Sequence, residues 1–205
     1  MTTCLAQPFP AHVQRFPNGL KLIHQELSAT GVVAVDVWVG AGARLESDAE
    51  LGVAHFLEHM VFKGTEATAP GVFDQLIEAH GGITNAATSL DYAHYSVVTA
   101  ASHWQQPLIT LADLLLGAAI PEEEFWRERQ VVFEELRQTQ DDPDWLAHQT
   151  LLEVAYGAHP YCRPILGTPE SLTQLHPETL RRFHRHYYQP ANMTVVVVGA
   201  VGLDA

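Results

Sequence analysis

The stretch His55-Phe56-Leu57-Glu58-His59 places two histidines and a glutamate within five residues. The flanking pattern is typical of a helix, in which each residue turns by about 100°. His55 and His59 are therefore only about 40° apart, one turn above each other, and both imidazoles can point at one metal ion. Glu58 lies beside His59, close enough to reach a water on that ion. This H-x-x-E-H order is the reverse of the H-E-x-x-H zinc signature, and it predicts a metal site that needs a third protein ligand.

The third ligand is expected on a long helix predicted to begin at Pro121 and to continue to about Gln140. Glu128 and Glu135 are separated by nearly two whole turns, so they point the same way. Glu135 shares this largely apolar stripe with two valines, whereas Glu134 lies on a stripe of charged and amide side chains and is expected in solvent. A carboxylate on an inward face needs a partner, because an unpaired buried charge is very costly. A metal is one such partner and a buried arginine is the alternative; helical phase favours Glu135 over Glu134 as the ligand.

Strand-like and helix-like segments are mixed along the chain without a regular βαβ alternation. This mixture predicts the α+β class, with a mixed, mainly antiparallel sheet of about five to six strands packed against helices. Strands are predicted for 12–16 and 20–25, which form a hairpin, and for 32–39, 84–89, 93–101 and 193–201. Helices are predicted for 52–62, 70–80, 103–116, 121–140, 144–156 and 177–188.

Composition limits the partners and the location that can be expected. The formal net charge of −13 leaves no basic patch for nucleic acid. It indicates either a solvated acidic surface or a groove that attracts cationic peptides. Cys4 and Cys162 provide no disulfide framework, and the N-terminus has no signal-peptide pattern. No apolar run approaches the roughly 18 residues that a membrane span requires. A cytoplasmic location is therefore expected.

Two segments of the sequence resemble the zinc peptidases of the pitrilysin, insulin-degrading enzyme and mitochondrial processing peptidase family. The first is HFLEHMVFKGT at 55–65, and the second is RERQVVFEEL at 127–136, whose last glutamate is the ligand in the family. The 75 residues between His59 and Glu135 match the family's approximate spacing. Further similar stretches are GGITNAATS at 81–89 and RFHRHYYQPANM at 182–193.

The resemblance implies a metallohydrolase domain of the processing-peptidase type. It implies that His55, His59 and Glu135 hold one Zn²⁺ and that Glu58 is the general base and later the general acid. Glu128 corresponds to a glutamate with a supporting catalytic role, which would orient a ligand histidine or hold the local electrostatics. The activity that follows is that of a zinc metalloendopeptidase, which hydrolyses peptides or processes short polypeptides.

The resemblance also identifies a candidate substrate-binding strand. Asn85 and Ala86 are similar to the family's substrate-binding edge, where a peptide docks as an added strand. A structural role at a turn or strand end explains Asn85 equally well. Trp104, Trp126 and Trp145 lie in predicted helices and are interpreted as packing residues.

Family members place at least two such domains in one chain, or pair two chains, to enclose a substrate chamber. Residues 1–205 resemble a single N-terminal domain, so the sequence is expected to be a fragment or one half of a larger protein, without the C-terminal domain. The expected partners are a peptide or unfolded polypeptide substrate and either a C-terminal domain or a second subunit of this kind. Neither nucleic acid nor a membrane span is expected.

Three functional classes are compatible with the motif. The first is the zinc endopeptidase, and the second is a non-catalytic partner or scaffold subunit, which this family also contains. Such subunits usually lack part of the zinc set, whereas all three ligands and the base are present here. The third is another reaction on the same motif, as in ribosylhomocysteine lyase, which also uses a catalytic cysteine near its metal. Cys4 and Cys162 lie outside both motifs.

Overall fold

The computed structural model of the chain describes residues 11–203, so Cys4 lies outside the described residues. The described part contains six strands and seven α-helices, as the α+β prediction requires. The strands are β1 (His12–Arg15), β2 (Lys21–Glu26), β3 (Val32–Val39), β4 (Ile83–Thr88), β5 (Ala93–Ala100) and β6 (Met193–Gly199). The helices are α1 (Val53–Val61), α2 (Val72–Ala79), α3 (Gln105–Gly117), α4 (Glu122–Gln140), α5 (Pro143–Tyr156), α6 (Pro169–Gln174) and α7 (Pro177–Tyr187).

The six strands form one sheet in the order β1-β2-β6-β3-β5-β4. β2 and β6 run parallel, and the other neighbouring strands in the described chain are antiparallel. The predicted hairpin forms, with His12 opposite His24 in the register of β1 and β2. The mixed, mainly antiparallel sheet is therefore confirmed. β4 is the last strand on one side, so one of its edges has no neighbouring strand within residues 11–203.

One face of the sheet is buried under the helices. Every second residue of β3, from Val33 to Val39, is buried, as the alternation in this segment predicts. Phe56, Leu57 and Met60 of α1 pack into the same core. The six apolar residues of α1 are all buried, which leaves its histidines and glutamate on the one side that does not enter the core. The packing of the apolar residues thus fixes the direction in which the polar ones point.

The N-terminus of α1 is held by a buried carboxylate. Glu46 accepts hydrogen bonds from the backbone N–H groups of Gly52 and Ala54, each at 2.9 Å. Burial raises the pKa of Glu46 to about 8, against the opposing effect of these two donors. Gly52 has a φ of 89°, and a Cβ there would lie 2.7 Å from the Leu166 carbonyl oxygen. A glycine is therefore required where the chain enters α1.

The stripe of α4 that was predicted to face inward is only partly buried. Val132 lies in the core, but Val131 is 45% exposed, so α4 buries only one side of this stripe. Glu134 is in solvent as predicted and pairs with Arg137 at 2.8 Å. The short helix α6 was not predicted. A capping box formed by Thr168 and Ser171 stabilises the start of this helix.

Candidate metal centre

Three donor atoms from α1 and α4 converge at the open side of α1. The Nε2 atom of His59 lies 3.4 Å from Oε2 of Glu135, and Nε2 of His55 lies 3.5 Å from the same oxygen. Within residues 11–203 this trio is the group of at least three metal-ligating side chains whose donor atoms lie within 4.8 Å of one another. The helical phase of α4 therefore predicted the correct glutamate, because the fold places Glu135 beside the two histidines.

The two separations between Glu135 and the histidines fit a tetrahedral zinc ion. With metal–ligand bonds of 2.0–2.2 Å, neighbouring ligand atoms around such an ion lie about 3.3–3.5 Å apart. The two measured separations from Glu135 fall in this range, and they are longer than a normal N–H···O hydrogen bond. Two imidazole nitrogens and one carboxylate oxygen are also a donor set that catalytic zinc sites use. His55, His59 and Glu135 thus fit the ion that the sequence motif implies.

Glu128 fixes the orientation of the His59 ring. Its Oε1 accepts a hydrogen bond from Nδ1 of His59 at 3.0 Å, and its Oε2 pairs with Nζ of Lys63 at 2.6 Å. With Nδ1 bonded to Glu128, Nε2 is the ring nitrogen of His59 that is left to bind a metal beside Glu135. The cationic partner of this carboxylate is Lys63, where the sequence had suggested an arginine as the alternative to a metal.

The charges around the site shift the pKa values of these groups. Burial acts to raise the pKa of Glu128, but the hydrogen bonds with His59 and Lys63 outweigh it and lower that pKa. Burial likewise acts to lower the pKa of His59, but the hydrogen bond with Glu128 and the nearby carboxylates raise it. No comparable hydrogen bond raises the pKa of His55. Burial together with the charge of His59 lowers the pKa of His55 to about 3. His55 is therefore neutral over the ordinary pH range, which is the form that can bind a metal.

Glu58 is held in place by a residue for which sequence reasoning assigned no role. The hydroxyl of Thr88, at the end of β4, donates a hydrogen bond to Oε2 of Glu58. Burial raises the pKa of Glu58, and the Thr88 hydrogen bond opposes that rise. Thr88 lies in the GGITNAATS stretch that resembles the family, and that resemblance was the only sequence signal that could have drawn attention to it.

Two cavities adjoin the centre, and they account for the remaining predicted residues. The first has a volume of about 380 Å³ and is lined by Asn85 and Ala86 together with Glu58 and two glutamates of α4. Asn85 lies inside β4, so the strand-end explanation of this residue is wrong. The second cavity, of about 300 Å³, is lined in part by Trp145. Trp145 was interpreted as a packing residue, but it is half-buried and faces this cavity.

The fold and the site together define a class of protein: an α+β domain with a two-histidine, one-glutamate centre of the inverted H-x-x-E-H type. Residues 21–169 match the family model described as Insulinase (Peptidase family M16). Residues 174–205 match the model described as Peptidase M16 inactive domain. The first match covers well over half of the sequence, and the chain belongs to peptidase family M16.

Relatives and solved structures agree with this membership. The chain is 34% identical over 184 residues to Uncharacterized zinc protease YmxG of Bacillus subtilis (strain 168), covering 90% of this chain and 45% of that protein. It is 36% identical over 186 residues to Zinc protease PqqE of Helicobacter pylori, covering 90% and 42% of the two chains. The crystal structure of a protease from Helicobacter pylori superposes with a TM-score of 0.91 at 34% identity, covering 95% of this chain and 47% of that one. The chain thus spans less than half the length of the relatives that it matches.

No helix within residues 11–203 is both long enough and apolar enough to cross a membrane.

Proposed function

We propose that this chain is a zinc-dependent endopeptidase domain that hydrolyses peptides or short polypeptides. The observation that carries the proposal is the convergence of His55, His59 and Glu135 with Glu58 on the same open side of α1. The names of the relatives, which are zinc proteases, support a peptidase role for the family.

His55, His59 and Glu135 would hold the metal, and Glu128 would keep the His59 ring in the required tautomer. When bound, Zn²⁺ supplies a Lewis acid that polarises the scissile carbonyl group and lowers the pKa of water toward about 7. The carboxylate of Glu58 would take the proton of the attacking water and later give it to the leaving amine. Thr88 donates a hydrogen bond to Oε2 of Glu58, so the carboxylate is already oriented before a substrate binds.

The open edge of β4 lies beside this centre and supports binding of the substrate as an added strand. Ala86 in the middle of β4 lines both cavities, and Glu58 lines both as well. A peptide paired with this edge would pass in front of Glu58, and its main chain would supply most of the hydrogen bonds. Asn85 and Ala86 are accordingly proposed as substrate-binding residues.

A non-catalytic partner subunit is the second candidate function. The match of residues 174–205 to a model described as an inactive domain favours it. The complete set of three ligands and a base in residues 55–135 favours the catalytic function, because a scaffold subunit has no need of it. We also propose that the working protein includes a second domain or subunit of the same family, since the relatives are about twice as long as this chain.

The test of the proposed function is cleavage of fluorogenic peptides by the zinc-loaded protein, with its second half supplied if activity requires it. Removal of the metal by a chelator should abolish cleavage, and addition of Zn²⁺ should restore it. Cleavage that persists in metal-free protein would contradict the proposal. A protein that binds zinc stoichiometrically and cleaves none of the peptides would instead favour the non-catalytic subunit.

Replacement of Thr88 by valine is expected to lower kcat by about tenfold with little change in KM, because Glu58 loses the donor that orients it while the shape of the site is kept. This loss is smaller than the roughly 10²–10⁴-fold expected when the general base itself is removed. Thr88→Ser retains the hydroxyl and should preserve most of the activity. Thr99→Val is the matched control, since Thr99 lies on the neighbouring strand and its hydroxyl has no hydrogen-bond partner among the described residues. Equal losses in Thr88→Val and Thr88→Ser would show that the hydroxyl is not the group that matters.

A further inference from the structure

The two histidines of the candidate metal centre are supported in different ways. Nδ1 of His59 bonds to Glu128, and this contact fixes the direction of the ring. Nδ1 of His55 is buried and has no hydrogen-bond partner within residues 11–203. Histidines that bind metals almost always use their second ring nitrogen in such a contact. Because no polar contact of this kind turns the His55 ring, its direction follows from the position of its backbone and from packing.

His55 lies in the first turn of α1, where a helix cannot satisfy its own amide groups. The residue before the helix, Gly52, has no side chain that could accept their hydrogen bonds. Glu46 supplies the acceptors instead: Oε2 accepts from the N–H of Gly52, and Oε1 accepts from the N–H of Ala54. Ala54 is the residue directly before His55. One carboxylate therefore fixes the backbone on which the unsupported histidine is carried.

Glu46 itself is held in a fixed place by the strand β4. It is 4% exposed and directly follows a short 3₁₀ turn (Ala43–Leu45). The first two N–H groups of that turn donate to the carbonyl oxygens of Ser89 and Leu90, at 3.1 and 2.9 Å. These carbonyls belong to the turn that follows Thr88 at the end of β4. The support of α1 and the residue that orients the proposed general base thus belong to one connected piece of backbone.

We propose that Glu46 is a positioning residue for the metal centre, because its carboxylate sets the backbone position from which His55 reaches the metal. This role rests on the proposed function, in which His55 is a zinc ligand, and it adds a buried group outside the ligand set on which metal affinity depends. A glutamine at position 46 has one oxygen that accepts, and its NH₂ group is a donor. One of the two N–H groups then loses its acceptor and stays buried without a partner. The first turn of α1 shifts as a result, and His55 shifts with it.

The first test is a titration with Zn²⁺ against a competing fluorescent chelator. Glu46→Gln should weaken zinc affinity by at least about tenfold, the scale of changes to groups that support a metal ligand. The titrations are done above the pKa of about 8 that burial gives Glu46, where its carboxylate is ionised. Glu50→Gln is the matched control and should keep the wild-type affinity, because the Glu50 side chain lies in the same loop but pairs with Arg182. Equal affinities of the wild type and Glu46→Gln would overturn the inference.

A spectroscopic measurement distinguishes positioning from a general loss of stability. The ring ¹⁵N signals of the zinc-loaded protein report on each histidine separately. Glu46→Gln should change the signals of His55 more than those of His59, because only His55 depends on the first turn of α1. Glu128→Gln should do the reverse, since Glu128 contacts the His59 ring. Equal changes at both histidines in Glu46→Gln would assign Glu46 a merely structural role and overturn the inference.

A measurement on the wild type decides the matter if Glu46→Gln fails to fold. Coupling between two sites is reciprocal, so zinc binding at His55 should strengthen the hydrogen bonds that Glu46 accepts. Exchange of the amide hydrogens of Gly52 and Ala54 should therefore slow by about tenfold when Zn²⁺ is added, within the usual range of such coupling. Exchange at these two amides that is the same with and without Zn²⁺ would overturn the inference.

The outcomes separate failure of this inference from failure of the proposed function. Peptide cleavage by a protein whose zinc affinity and His55 signals do not depend on Glu46 would overturn the inference and leave the peptidase proposal intact. Zinc affinity that depends on Glu46, in an assembly that cleaves no peptide, would support the positioning role and overturn the peptidase proposal. A wild-type protein that binds no zinc would overturn both.

Discussion

Replacing Glu58 by glutamine is expected to reduce turnover by at least about 10²-fold, the scale of general acid–base catalysis, while zinc stays bound. Glutamine keeps the size of the side chain and can still accept the hydrogen bond from Thr88, but it cannot accept a proton from water. The metal ligands His55, His59 and Glu135 are unchanged in this variant. The measurement is kcat on a fluorogenic peptide together with zinc per chain by atomic absorption.

The control for Glu58→Gln is Glu134→Gln. Glu134 is also a glutamate in the second motif, but it is exposed and pairs with Arg137 on the solvent side of α4. It should therefore leave turnover and zinc content unchanged. A Glu58→Gln protein that turns over at close to the normal rate would exclude Glu58 as the proton acceptor.

The isolated 205 residues are expected to show about 10²-fold less peptidase activity than an assembly that includes the proposed second domain or subunit. The helix α5, which lines the second cavity beside the metal centre, has no buried residue. Some of its apolar side chains point outward, with Leu151 62% and Val154 81% exposed. A peptide on the open edge of β4 is then held from one side only, and misplacement of a substrate by about 1 Å can cost 10²-fold in rate.

This prediction is tested by measuring specific activity and sedimentation of the chain alone and after addition of the proposed second domain or subunit. The exposed apolar side chains of α5 should also make the isolated chain self-associate. Zinc binding should be retained, because both helices that carry the ligands lie within this chain. Full activity from a strictly monomeric 205-residue protein would show instead that the domain is self-sufficient.

The parts of the fold that depend on local pattern could be predicted from the sequence. The alternating valines of β3 predicted Val32–Val39, and the structure has a strand with the same bounds. Helical phase separated Glu135 from Glu134, and the structure places Glu135 against the two histidines and Glu134 in solvent. Both results follow from a single element whose period is known, so no long-range contact was needed.

The features that escaped prediction depend on contacts between distant parts of the chain. Thr88 reaches Glu58 only because β4 packs beside α1, and Lys63 reaches Glu128 only because α4 crosses the end of α1. Trp145 lies in a helix whose apolar residues show little helical periodicity, so the sequence could not tell a core position from the wall of a cavity. The roles of these residues can be inferred only when the order of the strands and the packing of the helices are known.

The most direct test of the central claim is the zinc content of Glu135→Ala measured beside that of Glu134→Ala. The claim is that His55, His59 and Glu135 form one metal site, so Glu135→Ala should lose most of its zinc. Glu134→Ala should keep one zinc per chain, because its carboxylate faces solvent. Loss of zinc from Glu134→Ala together with full occupancy in Glu135→Ala would contradict the account.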